Sequence, residues 1–165
     1  MPTNTRENGF ETLIVDWLVN HNHYEQGNND DYNQEYAIDE TRLFRFLQDT
    51  QPKEMDKLGV FKSDTKKHQF LNRLSGELAK RGIIDVLRNG IKVYPADLIM
   101  VYLTPTENNE QAKIMYAKNI FSVTRQLRYS QDASKLALDV CIFINGLPVI
   151  TMELKNQLTK QNTEN

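Results

Sequence analysis

A single cysteine, Cys141, leaves no internal disulfide to be made and fits a reducing compartment. No apolar run approaches the roughly 20 residues that a membrane-spanning helix needs. The opening stretch MPTNTRENGF has none of the apolar character of a secretory signal. These absences together point to a cytoplasmic protein. There is no internal repeat, low-complexity tract or linker. The formal net charge is only −2, so no global excess of one sign advertises a polyanion partner. What is present is 165 residues, 39% hydrophobic and 25% charged, the makeup of one ordinary globular domain with a core of its own.

The charge is unevenly spread. Glu25 to Glu40 holds six acidic residues and no basic one, whereas Thr41 to Pro95 holds twelve Lys/Arg against six Asp/Glu. The second segment reads either as solvated helix faces or as a surface turned towards nucleic acid.

Helical periodicity predicts a helix over residues 8–20, with Phe10, Leu13, Ile14, Trp17 and Leu18 as its buried stripe. Asn8 and Glu11 have the spacing of a capping box. Residues 21–35 read as a polar loop. A second helix is expected over about 39–50, with Leu43, Phe44, Phe46 and Leu47 inside. A third is expected to be capped by Asp64, to bury Phe70, Leu71, Leu74 and Leu78, and to stop at Gly82. After the short apolar run IIDVLR, Asn89-Gly90 is a hairpin-type turn signal. Strands are expected at 91–94, 98–103 and 120–129, the last with Phe121, Val123 and Leu127 on one side, and a polar loop at 104–111. The sum is one α/β or α+β domain.

The most informative stretch is Lys135 to Asn156, KLALDVCIFINGLPVITMELKN. Leu136, Leu138, Val140, Ile142 and Ile144 alternate along one strand, and Ile150, Met152 and Leu154 along the next, defining a buried face. Asp139 and Cys141, then Thr151, Glu153 and Lys155, fall on the other. A two-residue turn at Asn145-Gly146 would throw Asp139 and Glu153 onto opposite faces, because a one-residue slip inverts every side chain. A three-residue loop, Ile144 to Gly146, is therefore expected, with Phe143 opposite Leu147, Asp139 opposite Thr151 and Glu153 diagonal to it.

Two carboxylates and a lysine on one face suit phosphodiester hydrolysis. Carboxylate oxygens hold Mg²⁺ or Mn²⁺. The cation polarises phosphate and activates water, and a lysine offsets the charge that develops. Spacing alone also allows an ordinary ion-pair row on an amphipathic hairpin.

The neighbouring residues shift the balance towards the first. Asp139, a hydrophobic strand and then Glu153-Leu154-Lys155 resemble the PD-(D/E)XK nuclease superfamily. The fuller string LDVCIFINGLPVITMELKN is similar to the N-terminal nuclease domain of type I restriction subunits. So are NGFETLIVDWL, FLQDTQP, GIIDVLRNGIK and NIFSVTRQLRYS, so the resemblance spans nearly the whole chain. It implies a restriction-endonuclease-like mixed central sheet flanked by helices. It also implies Mg²⁺-dependent cleavage of double-stranded DNA, with Asp139 and Glu153 on the metal and Lys155 as the catalytic lysine. Glu11 would complete the acidic cluster, the alternative being a cap or first-turn charge. Gln126 and Arg128 would contact DNA or serve structurally. The partners implied are a methyltransferase subunit and a specificity subunit, in a bacterial or archaeal cell.

Leu138 stands where the superfamily usually has proline before the aspartate. The Gln and Tyr motif usual after the lysine strand is not reached by Asn165, and no Gly-x4-Gly-Lys-Ser/Thr occurs. ATP would therefore act only through motor domains outside this chain. A rival from another class is a non-catalytic module that binds DNA or docks subunits, and a third is a repair or junction nuclease of the same superfamily. His21 and His23 read as loop residues rather than a zinc pair. Tyr94, Tyr102, Tyr116 and Tyr129 read as packing residues.

Overall fold

The computed structural model describes residues 7–130 and 136–154. The elements run α1 (Glu7–Asn22), β1 (Glu25–Gln26), β2 (Tyr32–Asn33), β3 (Ile38–Asp39), α2 (Glu40–Thr50), α3 (Pro52–Leu58), α4 (Asp64–Arg81) and α5 (Ile83–Asn89). They continue with β4 (Ile91–Val93), β5 (Ala96–Leu98), α6 (Glu110–Tyr116), β6 (Phe121–Arg128), β7 (Ala137–Ile144) and β8 (Leu147–Met152). This is an α+β fold. Its mixed sheet has the order β1-β6-β7-β8, with β1 parallel to β6 and the other pairs antiparallel.

The helical half follows local rules. Asp39 caps α2 by accepting from the Arg42 N–H at 3.0 Å. Ser63, rather than Asp64, caps α4. Leu43, Phe46, Leu47, Phe70, Leu71 and Leu74 are almost wholly buried in one core with Met55, Val86 and Met100. The run IIDVLR is helical, and Gly90 ends it at φ 64°, so Asn89-Gly90 closes α5 instead of turning a hairpin. The hairpin of β4 and β5 turns one step later, at Tyr94-Pro95. Strand does not continue to residue 103, and α6 replaces part of the expected loop.

The acidic run from Glu25 to Glu40 has a centre. Arg42, 7% exposed, donates to Glu25 at 3.1 Å, Asp31 at 3.0 Å, Asp39 at 2.7 Å and the Gln26 carbonyl at 3.0 Å. Burial works against the charged guanidinium, but these acids outweigh it and hold its pKa above the ordinary value. Of the twelve cations between residues 41 and 95, Arg42, Arg45, Lys57, Lys62, Lys67, Arg73 and Arg81 are in ion pairs, which favours solvated helix faces over a free basic surface.

The β7–β8 hairpin corrects the expected loop. Ile144 pairs with Leu147, so Asn145-Gly146 is a two-residue turn with φ of 50° and 82°. The parity is restored further along instead. Phe143 faces Pro148 but Ile142 faces Ile150, leaving Val149 as an extra bulged residue. Asn145 makes the short turn tenable by donating to the Met100 carbonyl and accepting from the Ile120 N–H, while wholly buried. At Gly146 a Cβ would lie 2.4 Å from the Asp39 carbonyl oxygen, so only glycine fits.

Two burial expectations also change. Strand β7 is buried on both faces. Val140 and Ile142 pack with Val15 of α1, whereas Cys141 and Phe143 pack with Leu127, Leu138 and Tyr32. On α1 the expected stripe points the wrong way. Phe10, Leu13 and Trp17 are 56%, 61% and 58% exposed, while Glu11 and Val15 are 2% exposed. The buried stripe, Glu11, Val15 and Leu18 or Val19, has equally good helical spacing. A glutamate within it hid it from a hydrophobicity reading.

Candidate active site around Glu11 and Asp139

Helix α1 lies on the face of the sheet formed by Val123, Val140 and Ile142. That packing presses Glu11 against strand β6. The register sets Arg125 opposite Val140 and Leu127 opposite Leu138, so Gln126 and Asp139 stand between these pairs. Side chains of successive strand residues point to opposite faces. Yet Arg125 Nε donates to Glu11 Oε1 at 3.0 Å and Gln126 Nε2 donates to Glu11 Oε2 at 3.1 Å. The backbone of Gln126 explains how, since its φ of 46° is left-handed and breaks the alternation. Beyond it Leu127 and Leu138 join the opposite cluster, so the two-residue period ends at this point on both strands. Val123 and Leu127 are thus not on one face.

The Gln126 amide reaches further. The same Nε2 lies 3.2 Å from Asp139 Oδ1. The second oxygen of that carboxylate, Oδ2, accepts from the backbone N–H of Leu154 at 2.6 Å. The ladder between β7 and β8 ends at Val140 and Met152, and this hydrogen bond ties down the chain just beyond it. Two carboxylates from elements far apart in sequence are therefore joined through one amide group. Arg125 supplies one positive charge to this pair of acids, leaving the trio net negative.

The other expected residues are placed as follows. Glu11 lies inside α1, which begins at Glu7, and its carboxylate is spent on β6, so it is neither cap nor first-turn charge. Glu153 is exposed at the end of β8, next to the Leu154 N–H that Asp139 holds. Lys155 lies outside the described residues. Arg128 is exposed at the end of β6, where its backbone N–H donates to Asn29 Oδ1 at 2.7 Å. Cys141 is fully buried, and burial pushes its thiol up to about 12, which removes it as a nucleophile. His21 stacks on Trp17 at 4.0 Å between ring centroids, consistent with a surface role. Sequence reasoning missed Arg125 and the Leu154 N–H. The available signal for Arg125 was its position one residue before Gln126, but strand alternation would put the two on opposite faces.

Among the described residues, no three His, Cys, Asp or Glu side chains stand close enough together to hold a metal ion. The donor set still suits a hard cation. Mg²⁺ is commonly bound by one or two carboxylates, completed by water and substrate phosphate. Glu11 and Asp139 supply that pair on the α1 side of the sheet.

The chain is thus an α+β domain with a carboxylate pair between its N-terminal helix and its longest antiparallel strands. Its family is defined by sequence: the chain belongs to the type I restriction enzyme R protein N terminus family (HSDR_N), whose model matches residues 4–165. Neither the curated proteins nor the solved structures gave a match.

Proposed function

We propose that this domain cleaves duplex DNA as the nuclease part of a type I restriction enzyme, using Mg²⁺ or Mn²⁺. The observation that carries the proposal is the joining of Glu11 and Asp139 at one amide, in a chain whose residues 4–165 match the R-protein N-terminal family. Glu11 and Asp139 would hold the cation. When bound, the cation supplies polarisation of the phosphate and a lowered pKa for water. Arg125 fixes the Glu11 carboxylate, and the Leu154 N–H fixes that of Asp139. Lys155 offsets the charge developing on the phosphate oxygens. Sequence choice would come from a specificity subunit, modification from a methyltransferase subunit, and ATP-driven translocation from motor domains of the same subunit. The setting would be the cytoplasm of a bacterial or archaeal cell.

The test is the assembled enzyme with Asp139→Asn or Lys155→Ala. DNA cleavage should fall by at least about a hundredfold while ATP hydrolysis persists. Wild-type cleavage by Asp139→Asn enzyme would reject the nuclease assignment in favour of a docking or DNA-binding module.

A further inference from the structure

We propose that the Gln126 amide is a placeholder for the cation, holding Glu11 and Asp139 together until a divalent ion displaces it. The inference rests on the nuclease reading above and adds a role for a residue outside the acidic set.

Three observations carry it. First, one nitrogen lies 3.1 Å from Glu11 Oε2 and 3.2 Å from Asp139 Oδ1. Its two N–H bonds serve two carboxylates from a single point, as a bridging cation would. Second, the substitution is incomplete in charge. The amide is neutral and Arg125 neutralises only one of the two acids, so a residual negative charge stays at the site. Third, access is one-sided. Glu11 is 2% exposed, whereas Gln126 belongs to the exposed residues. The amide is thus the part of the bridge that solvent reaches and that can swing away. The left-handed backbone at Gln126 is strained, and such strain persists only where surrounding contacts demand it. Here the demand is that residues 125 and 126 both meet Glu11.

The roles are distinct. Arg125 is a permanent anchor, and Gln126 is a positioning residue that gives way. Because the amide competes with the ion, removing it should strengthen ion binding even as it loosens the ion-free protein. A purely structural glutamine would show only the second effect.

The experiment titrates Mn²⁺ into the purified protein by electron paramagnetic resonance, without DNA, alongside thermal unfolding in chelator. Gln126→Ala should bind Mn²⁺ roughly tenfold more tightly, since two hydrogen bonds to charged groups no longer have to be broken. Its Tm in chelator should fall by roughly 3 °C or more. Gln126→Lys places a permanent cation at the same point. It should keep the Tm and bind Mn²⁺ at least about a hundredfold more weakly. Mn²⁺ binding by Gln126→Lys at the wild-type level, or no tightening in Gln126→Ala, overturns the proposal. If wild-type protein binds Mn²⁺ and the assembled enzyme cleaves while all three titrate alike, the placeholder role falls and the nuclease reading stands. If the wild type neither binds nor cleaves, both fall.

Discussion

Between Glu40 and Asn89 the helices bury Phe46, Leu47, Phe70 and Leu74 on stripes visible in the sequence, and α2 and α4 are capped by the adjacent Asp39 and Ser63. Between Phe121 and Ile144 the strands bury both faces, break their two-residue period at Gln126 and hold a buried glutamate of α1. The first region is consistent at every level, from propensity to packing. The second departs from local rules where chemistry is proposed, which is where natural proteins tend to depart from them. The contrast teaches that the helical half provides stability, while the strand half uses part of it to hold charge.

The largest expected effect tests the helical half. Phe46→Ala should cost about 3–5 kcal/mol, as a large side chain leaves a void in the main core. Arg42→Met should cost a comparable amount, about 3–5 kcal/mol, because Asp39 would be left buried without its partner. Urea denaturation measures both. An Arg42→Met cost below about 1 kcal/mol would place its network among weak surface pairs instead.

A middle-sized effect tests which stripe of α1 is buried. Leu13→Ala should change stability by no more than about 0.5 kcal/mol, whereas Val15→Ala should cost about 1–2 kcal/mol. The reverse order in thermal unfolding would restore the stripe that hydrophobicity favours.

The smallest effect concerns pH. Burial alone would raise the pKa of Glu40, but Lys67 and Asn33 hydrogen-bond to the carboxylate and together hold it below the ordinary 4.5. A depressed carboxylate stabilises the fold above its unfolded pKa, and that contribution is lost as pH falls through the lower folded value. Lys67→Met should therefore reduce the Tm at neutral pH and narrow the difference from wild type in acid. A constant difference from pH 7 to pH 3 would remove Glu40 from the explanation.

How much of this was legible varies by element. The helices at 40–50 and 64–81 were readable because an apolar stripe and a capping residue lie within or beside each segment, with Gly82 ending the second. The helix at 110–116 was not, since it buries no residue and shows no stripe; its cap, Asn109, was the one local sign. The turn at Asn145-Gly146 was read from the dipeptide, then lengthened to preserve parity. The protein keeps the short turn and restores parity with a bulge at Val149, a choice made by the buried contacts of Asn145 and the close approach of Gly146 to Asp39. Gln126 and Glu11 were marked as candidates, but their partnership was not visible.

The sequence by itself determined the apolar helix stripes, the strand pair around Asp139 and the family phrases, because each is written in residues close together along the chain. Only the tertiary structure decided which stripe of α1 is buried, where the strand alternation breaks and which groups meet Asp139. Those outcomes depend on contacts such as Arg125 with Glu11, 114 residues apart. No local periodicity encodes such a contact, since its energy exists only once the helix is seated on the sheet.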